Sequence, residues 1–254
     1  MAQKTEVELI VRRTEDLAPR LRRVVLGGPA FEEYLAHHLD STDTYVKLVF
    51  ADGDDTVLRT YTVRWVDAAA GELAIDFVTH GTEGLAGPWA LRAKPGDTLR
   101  FRGPGGAYRP SPDADHHLFV GDEAALPAIA ASIEALEPDA AATAFIEVDG
   151  PGHEIDLPSP ASVDVNWLYR DGDAPGSTTL LDQAVRAWAW PEGRVQAFVH
   201  GESALLKSVR PYLMDGRVAR PDISVSAYWR CGETEEGFRA WKKQQQDAVI
   251  RPGA

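Results

Sequence analysis

Residues 102–112, Arg102-Gly103-Pro104-Gly105-Gly106-Ala107-Tyr108-Arg109-Pro110-Ser111-Pro112, separate two different hydrophobic rhythms in this chain. Glycine and proline at this density do not continue a helix or a central strand, so the passage reads as a connection between separately packed parts. Before it, short stretches at 5–13, 20–26, 44–50, 57–65, 72–79 and 98–101 alternate apolar and polar residues, with turn residues such as Asp52-Gly53-Asp54 and Ala70-Gly71 between them. Alternation puts one face of a strand in a core and the other in water, and about six such antiparallel strands suffice to close a barrel. Helical pieces near 28–35 and 85–92 are expected to interrupt it.

Beyond the passage, apolar runs at 117–120, 143–148, 163–169, 195–200 and 223–227 alternate with helical segments at 126–136, 179–187 and 204–213. A strand that is apolar along its whole length is buried on both faces, as in a parallel sheet covered by helices. The expected fold is therefore an N-terminal antiparallel six-stranded barrel domain over 1–110, followed by a parallel-sheet α/β domain over 111–254. A C-terminal helix over 234–248, with Phe238, Trp241 and Lys242 at helical spacing behind the cap-like Thr234, is expected to lie back on the body.

The 254 residues carry 39 acidic and 26 basic side chains, a net charge of −13. Nucleic-acid partners are excluded on that balance, because binding to phosphate needs a basic stripe. The single cysteine, Cys231, allows no internal disulfide and no Cys-x-x-Cys cluster, so any redox cofactor must be organic. No apolar run approaches the ~20 residues that span a bilayer, and the N-terminus lacks a secretory core, which points to a cytoplasmic protein without membrane insertion. Nothing demands more than a monomer. The pairs His37-His38 and His116-His117 lack metal-site spacing and read as surface or strand-edge residues.

Two stretches carry candidate chemistry. In Arg59-Thr60-Tyr61-Thr62, at the end of a barrel strand, arginine offers a planar fork for a pyrophosphate, tyrosine a flat face for an isoalloxazine ring, and threonine a small donor beside it. FAD is the cofactor this chemistry suits. In the second half, Gly121-Asp122-Glu123 follows a strand and precedes an Ala-rich helix, leaving small residues and amides where a dinucleotide could approach. There is no Gly-x-Gly-x-x-Gly. His200-Gly201-Glu202-Ser203-Ala204-Leu205 imitates a serine nucleophile elbow, but Leu205 stands where that strained turn needs a small residue, and no histidine follows Ser203.

Five segments together, Tyr45-Val46-Lys47-Leu48, Arg59 to Arg64, Asp76-Phe77-Val78-Thr79-His80-Gly81, Gly121 to Ile129, and Tyr228-Trp229-Arg230-Cys231-Gly232, resemble the siderophore-interacting proteins, FAD-containing ferric-siderophore reductases of bacteria. The resemblance runs from about Asp43 to Lys242. It implies that Arg59, Tyr61 and Thr62 bind FAD, that Phe77, Val78 and Thr79 line the ring, and that His80-Gly81 shape the next turn. Gly84, Ala86, Gly87 and Trp89 fall where the family has a helix start for the pyrophosphate; here Gly87 stands for an expected serine and Pro88 for an expected arginine. Gly105-Gly106 read either as linker or as a close backbone approach to the cofactor. The resemblance further implies that Gly121, Asp122, Glu123, Gly201 and Glu202 receive NADH or NADPH, and that Tyr228 and Trp229 are further cofactor-binding residues. Hydride then passes to the flavin and single electrons to Fe(III), whose reduced form leaves the siderophore. Lys47 and Arg230 are expected to attract the anionic ferric siderophore, with Arg64, Arg239 and Lys242 as weaker candidates. A general NAD(P)H:flavin reductase and a non-catalytic flavin or siderophore carrier are the alternatives.

Overall fold

The computed structural model describes residues 6–53, 55–79, 84–234, 236–238 and 240–242. His80, Gly81 and Arg239 lie outside the described residues, as does the end of the expected terminal helix. Six strands, β1 (Glu6–Ala18), β2 (Leu21–Gly27), β3 (Tyr45–Asp52), β4 (Asp55–Asp67), β5 (Glu72–Val78) and β6 (Thr98–Gly105), close an antiparallel barrel in the order β1-β2-β5-β4-β3-β6. The alternation read from the sequence fills the interior: Leu9, Leu26, Leu48, Leu73, Ile75, Phe77 and Phe101 are all fully buried, each contributing ~1.5–3 kcal/mol of transfer free energy. Helix α1 (Phe31–Leu35) buries Phe31 and Tyr34, and α2 (Ala86–Arg92) adds Ala86 and Ala90 to the same core.

The second half is a parallel sheet ordered β11 (Ile223–Trp229), β10 (Val195–Glu202), β7 (His116–Asp122), β8 (Ala141–Val148), β9 (Ser162–Tyr169). The three central strands β7, β8 and β10 are covered on both faces and buried almost end to end, whereas the outer strands β9 and β11 are only partly buried. Phe119, Ile146 and Phe198 pack with α3 (Leu126–Glu134), whereas Leu118, Val120, Phe145 and Val199 pack with α4 (Leu180–Ala187) and α5 (Ser203–Met214). Among the described residues no helix is long and apolar enough to cross a membrane.

Three sequence expectations are corrected here. The glycine-rich passage begins inside β6 and not after it; a Cβ on Gly105 would stand 2.5 Å from the Tyr45 ring, so glycine serves close strand-to-ring packing. His117 is not an edge residue: it is 2 % exposed on the central strand β7, stacked on Phe119, with a lowered pKa caused mainly by burial. Arg64 reaches α3, where its guanidinium donates to both Glu134 oxygens at 2.7 and 2.5 Å and ties the barrel to the sheet. Thr42 and Ser132, hydrogen-bonded at 2.8 Å, and the Tyr108–Phe198 ring pair complete that junction.

Candidate flavin and nucleotide site

On β4, period-two alternation sets Arg59 and Tyr61 on one face, opposite Leu48 and Val46 of β3, and Thr60 and Thr62 on the other, opposite Lys47 and Tyr45. The Tyr61 ring is partly buried with its centroid 4.6 Å from that of Phe77, and Phe77 in turn meets Trp89 at 5.7 Å. Trp89 thus packs on Phe77, the ring that also meets Tyr61. Phe77 is fully buried and Thr79 is buried, with its amide donating to the Arg20 carbonyl, so the end of β5 is held rigidly under the aromatic pair.

Arg59 donates through Nη1 to the Leu58 carbonyl and to Glu236 Oε1 at 2.5 Å. The terminal segment carrying Glu236 is anchored by buried Phe238 and by Lys242, whose Nζ donates to Ser226 Oγ and the Ala227 carbonyl. Among the described residues α2 has no side-chain cap, and Gly84 precedes it with a φ of 78°. An arginine and a partly buried tyrosine ring on one strand face suit a ligand with a pyrophosphate and a flat ring, so these residues fit FAD.

At the carboxyl ends of the parallel strands, Asp122 is fully engaged. Its Oδ1 accepts from the Ala124 amide, and its Oδ2 accepts from the Glu202 amide at 2.9 Å and Trp229 Nε1 at 2.8 Å. Burial pushes its pKa up to about 6 against the opposing effect of those donors. Gly201 adopts a φ of 141°, and a Cβ there would lie 2.7 Å from Asp122 Oδ2, so glycine permits this approach. Glu202 caps α5, accepting from the Ala204 amide, the Ser203 hydroxyl and the Cys231 amide. The side chains of Asp122 and Glu202 therefore build the crevice, and backbone is what they leave to a ligand. Glu123 is held by Arg170 through two hydrogen bonds at 2.8 and 2.5 Å.

Tyr228 lies at the junction: its ring meets His200 edge-on, 5.0 Å between centroids, Thr62 is among the groups that interact with its hydroxyl, and burial raises its pKa. Thr62 and Tyr45, which interact with this tyrosine, share their β3–β4 face with Lys47. Arg230 lies on the Trp241 ring, 5.2 Å from its centroid, and 4.0 Å from Glu233. Ser203 is buried with its hydroxyl on Glu202, and His200 is packed on Phe198 with Nε2 on Ser224 and its pKa pushed down to about 3 by burial. That arrangement supplies no nucleophile. Arg170, Glu236 and the Thr62–Tyr228 contact escaped the sequence reading; only Arg170, a lone cation directly after an apolar strand, left any signal.

An antiparallel barrel ahead of a parallel sheet of this order defines a ferredoxin-reductase-like flavin and nucleotide fold. The chain belongs to the siderophore-interacting protein family. That family's sequence model matches residues 114–232, and the model of the siderophore-interacting FAD-binding domain matches 10–57 and 51–108. An uncharacterized protein of Mycobacterium tuberculosis is 47% identical, with 92% of this chain and 94% of the relative covered. Ferric vibriobactin reductase ViuB of Vibrio cholerae is 32% identical (92% and 94% covered), and an NADPH-dependent ferric-chelate reductase of Escherichia coli is 27% identical (87% and 92% covered). The crystal structure of a siderophore utilization protein from T. fusca superposes with a TM-score of 0.82 at 37% identity, covering 92% of this chain and 96% of that one.

Proposed function

We propose that this protein is an FAD-containing oxidoreductase that uses NADH or NADPH to reduce ferric siderophores, releasing iron as Fe(II) in the cytoplasm. The observation that carries the reading is the partly buried Tyr61 ring packed on Phe77, on the same strand face as Arg59. When bound, FAD converts a two-electron hydride donor into a one-electron donor for Fe(III). The work of the chain is to position and to neutralise. Residues 1–110 hold the flavin, Tyr61 and Phe77 orienting its ring and Arg59 balancing its pyrophosphate, while 111–254 bring the nicotinamide nucleotide to the junction at Thr62 and Tyr228.

Lys47 and Arg230 offset the field of a protein with a net charge of −13 where an anionic ferric chelate approaches. The reduced metal binds its chelator more weakly and departs. Gly87 and Pro88, which replace a hydroxyl and a cation of the family pattern, favour a second reading, a general NAD(P)H:flavin reductase that exchanges its flavin. Anaerobic mixing of the purified protein with each nicotinamide, then with catecholate, hydroxamate and carboxylate ferric chelates, separates the two. Protein that is yellow as purified, bleaches and recovers on chelate addition is a siderophore reductase; colourless protein that reduces only added flavin is not.

A further inference from the structure

We infer that the nucleotide crevice selects NADH and rejects the 2′-phosphate of NADPH, because the arginine placed to receive that phosphate is already held by three carboxylates. The inference rests on the nicotinamide reading above and goes on to choose between the two donors.

The sheet runs β9-β8-β7-β10-β11, with the strands reversing direction of addition at β7. In such sheets a dinucleotide lies across the carboxyl ends, and discrimination falls to the side chains near the adenosine ribose. Carboxylates accept from a free 2′-hydroxyl, and an arginine accommodates a 2′-phosphate. Arg170 follows β9 directly and is the cation that the sheet itself supplies to this corner, Arg20 of the barrel being the other. Its side chain is 1% exposed; it donates to both oxygens of Glu123 and lies 3.5 Å from Glu147 and 3.7 Å from Asp149. Thr178 donates to Glu147 at 2.6 Å, and Arg20 of the barrel approaches Asp149 at 3.2 Å, with His153 3.7 Å from the same carboxylate.

Three carboxylates thus face two guanidiniums, and the more deeply buried guanidinium is engaged through both terminal nitrogens by a two-point pair, its Nε remaining without a partner. A phosphate would have to draw Arg170 away from Glu123, leaving an uncompensated carboxylate in a largely buried place, and would bring further negative charge to a corner that is already net negative. A ribose diol asks for the opposite. It offers hydroxyl donors, and Glu123 and Asp149, whose side chains remain 16% and 20% exposed, are acceptors that solvent still reaches. The pyrophosphate is common to both nucleotides and does not decide between them.

The test is calorimetric titration of the FAD-loaded protein with NAD+ and with NADP+, alongside anaerobic rates of flavin bleaching by NADH and NADPH. NAD+ should bind at least about tenfold more tightly, with the same preference in kcat/KM. Glu123→Gln, which loosens the grip on Arg170, should narrow the affinity gap by about tenfold; Asp149→Asn, at a more accessible position, should narrow it by about threefold without depending on the buried pair. Equal or tighter binding of NADP+ to the unaltered protein overturns the inference, as does a gap that neither variant moves. If neither nucleotide binds or bleaches the flavin, the nicotinamide reading itself falls and the selection with it.

Discussion

Arg59 of the barrel and Glu236 of the terminal segment form a hydrogen-bonded ion pair at 2.5 Å, between residues 177 apart in the chain, with the arginine side chain 17% exposed and the glutamate 53%. The same guanidinium is the one the Arg-x-Tyr-Thr pattern assigns to a pyrophosphate. Binding of FAD and pairing with Glu236 therefore draw on one group. A pair this exposed is worth at most about 1 kcal/mol. Glu236→Gln should tighten FAD binding about two- to fivefold, and Arg59→Ala should weaken it at least about tenfold, both read by quenching of flavin fluorescence on titration of apoprotein. A Glu236→Gln variant that binds FAD more weakly would show that the glutamate supports the cofactor.

Gly87 leaves room for the hydroxyl that the family pattern places there. A Cβ at this position would meet the Val78 carbonyl at 3.6 Å and Thr79 Cα at 3.9 Å, which are ordinary contacts. Gly87→Ser should fold with unchanged or slightly raised stability and bind FAD about fivefold more tightly, a gain of about 1 kcal/mol for one added hydrogen bond. Thermal unfolding with and without FAD measures both effects.

Lys47 shares a strand face with Thr62, away from Arg59 and Tyr61. Its removal should therefore spare cofactor binding. In anaerobic rapid mixing, Lys47→Ala should slow flavin reoxidation by an anionic ferric chelate about tenfold while changing reduction by nicotinamide less than twofold. Equal slowing of both steps would take Lys47 out of the substrate path.

Asp122 gives the protein a signed pH dependence. Its folded pKa of about 6 lies above the ordinary carboxylate value of 3.8, with burial as the main cause. The folded state consequently holds the proton more firmly, so this group's contribution is fully present below about pH 4 and declines as pH rises through about 6, by roughly 2–3 kcal/mol. Asp122→Asn lacks that decline. The variant also loses acceptors for the Glu202 and Trp229 N–H groups and should be less stable throughout, with a deficit larger at pH 4.5 than at pH 7.5 in urea unfolding. A deficit that grows with pH would contradict the assignment.

Arg64 tests the junction independently of the chemistry. Its bidentate pair with Glu134 is the direct ionic link from the barrel to α3, and its side chain is only 5% exposed. Arg64→Met should cost about 1–3 kcal/mol in urea unfolding and leave FAD affinity within about twofold. A large loss of FAD affinity would return Arg64 to the flavin site.

The eleven strands were legible because burial writes its period locally: Leu73, Ile75 and Phe77 recur at every second position of β5 to fill the barrel core, and β7, β8 and β10 carry apolar runs where helices cover both faces. Arg59, Tyr61 and Thr62 were legible as a motif for the same reason, being neighbours on one strand. What periodicity does not carry is the identity of a distant partner. Trp229 meets Asp122 across 107 residues, and Arg170 meets Glu123 across 47. His117 looked like an edge residue because a polar side chain at the start of an apolar run gives no sign of the strands on either side of it.

The sequence by itself determined which segments are strands and helices, where the rhythm changes, and which short motifs sit at strand ends. Only the tertiary structure decided that Glu236 would reach Arg59, that Thr62 would meet Tyr228, and that Arg170 would be enclosed by carboxylates. The physical reason is that local pattern records whether a side chain is buried, while the partner it is buried against follows from barrel closure and strand order, which bring together residues far apart in the chain.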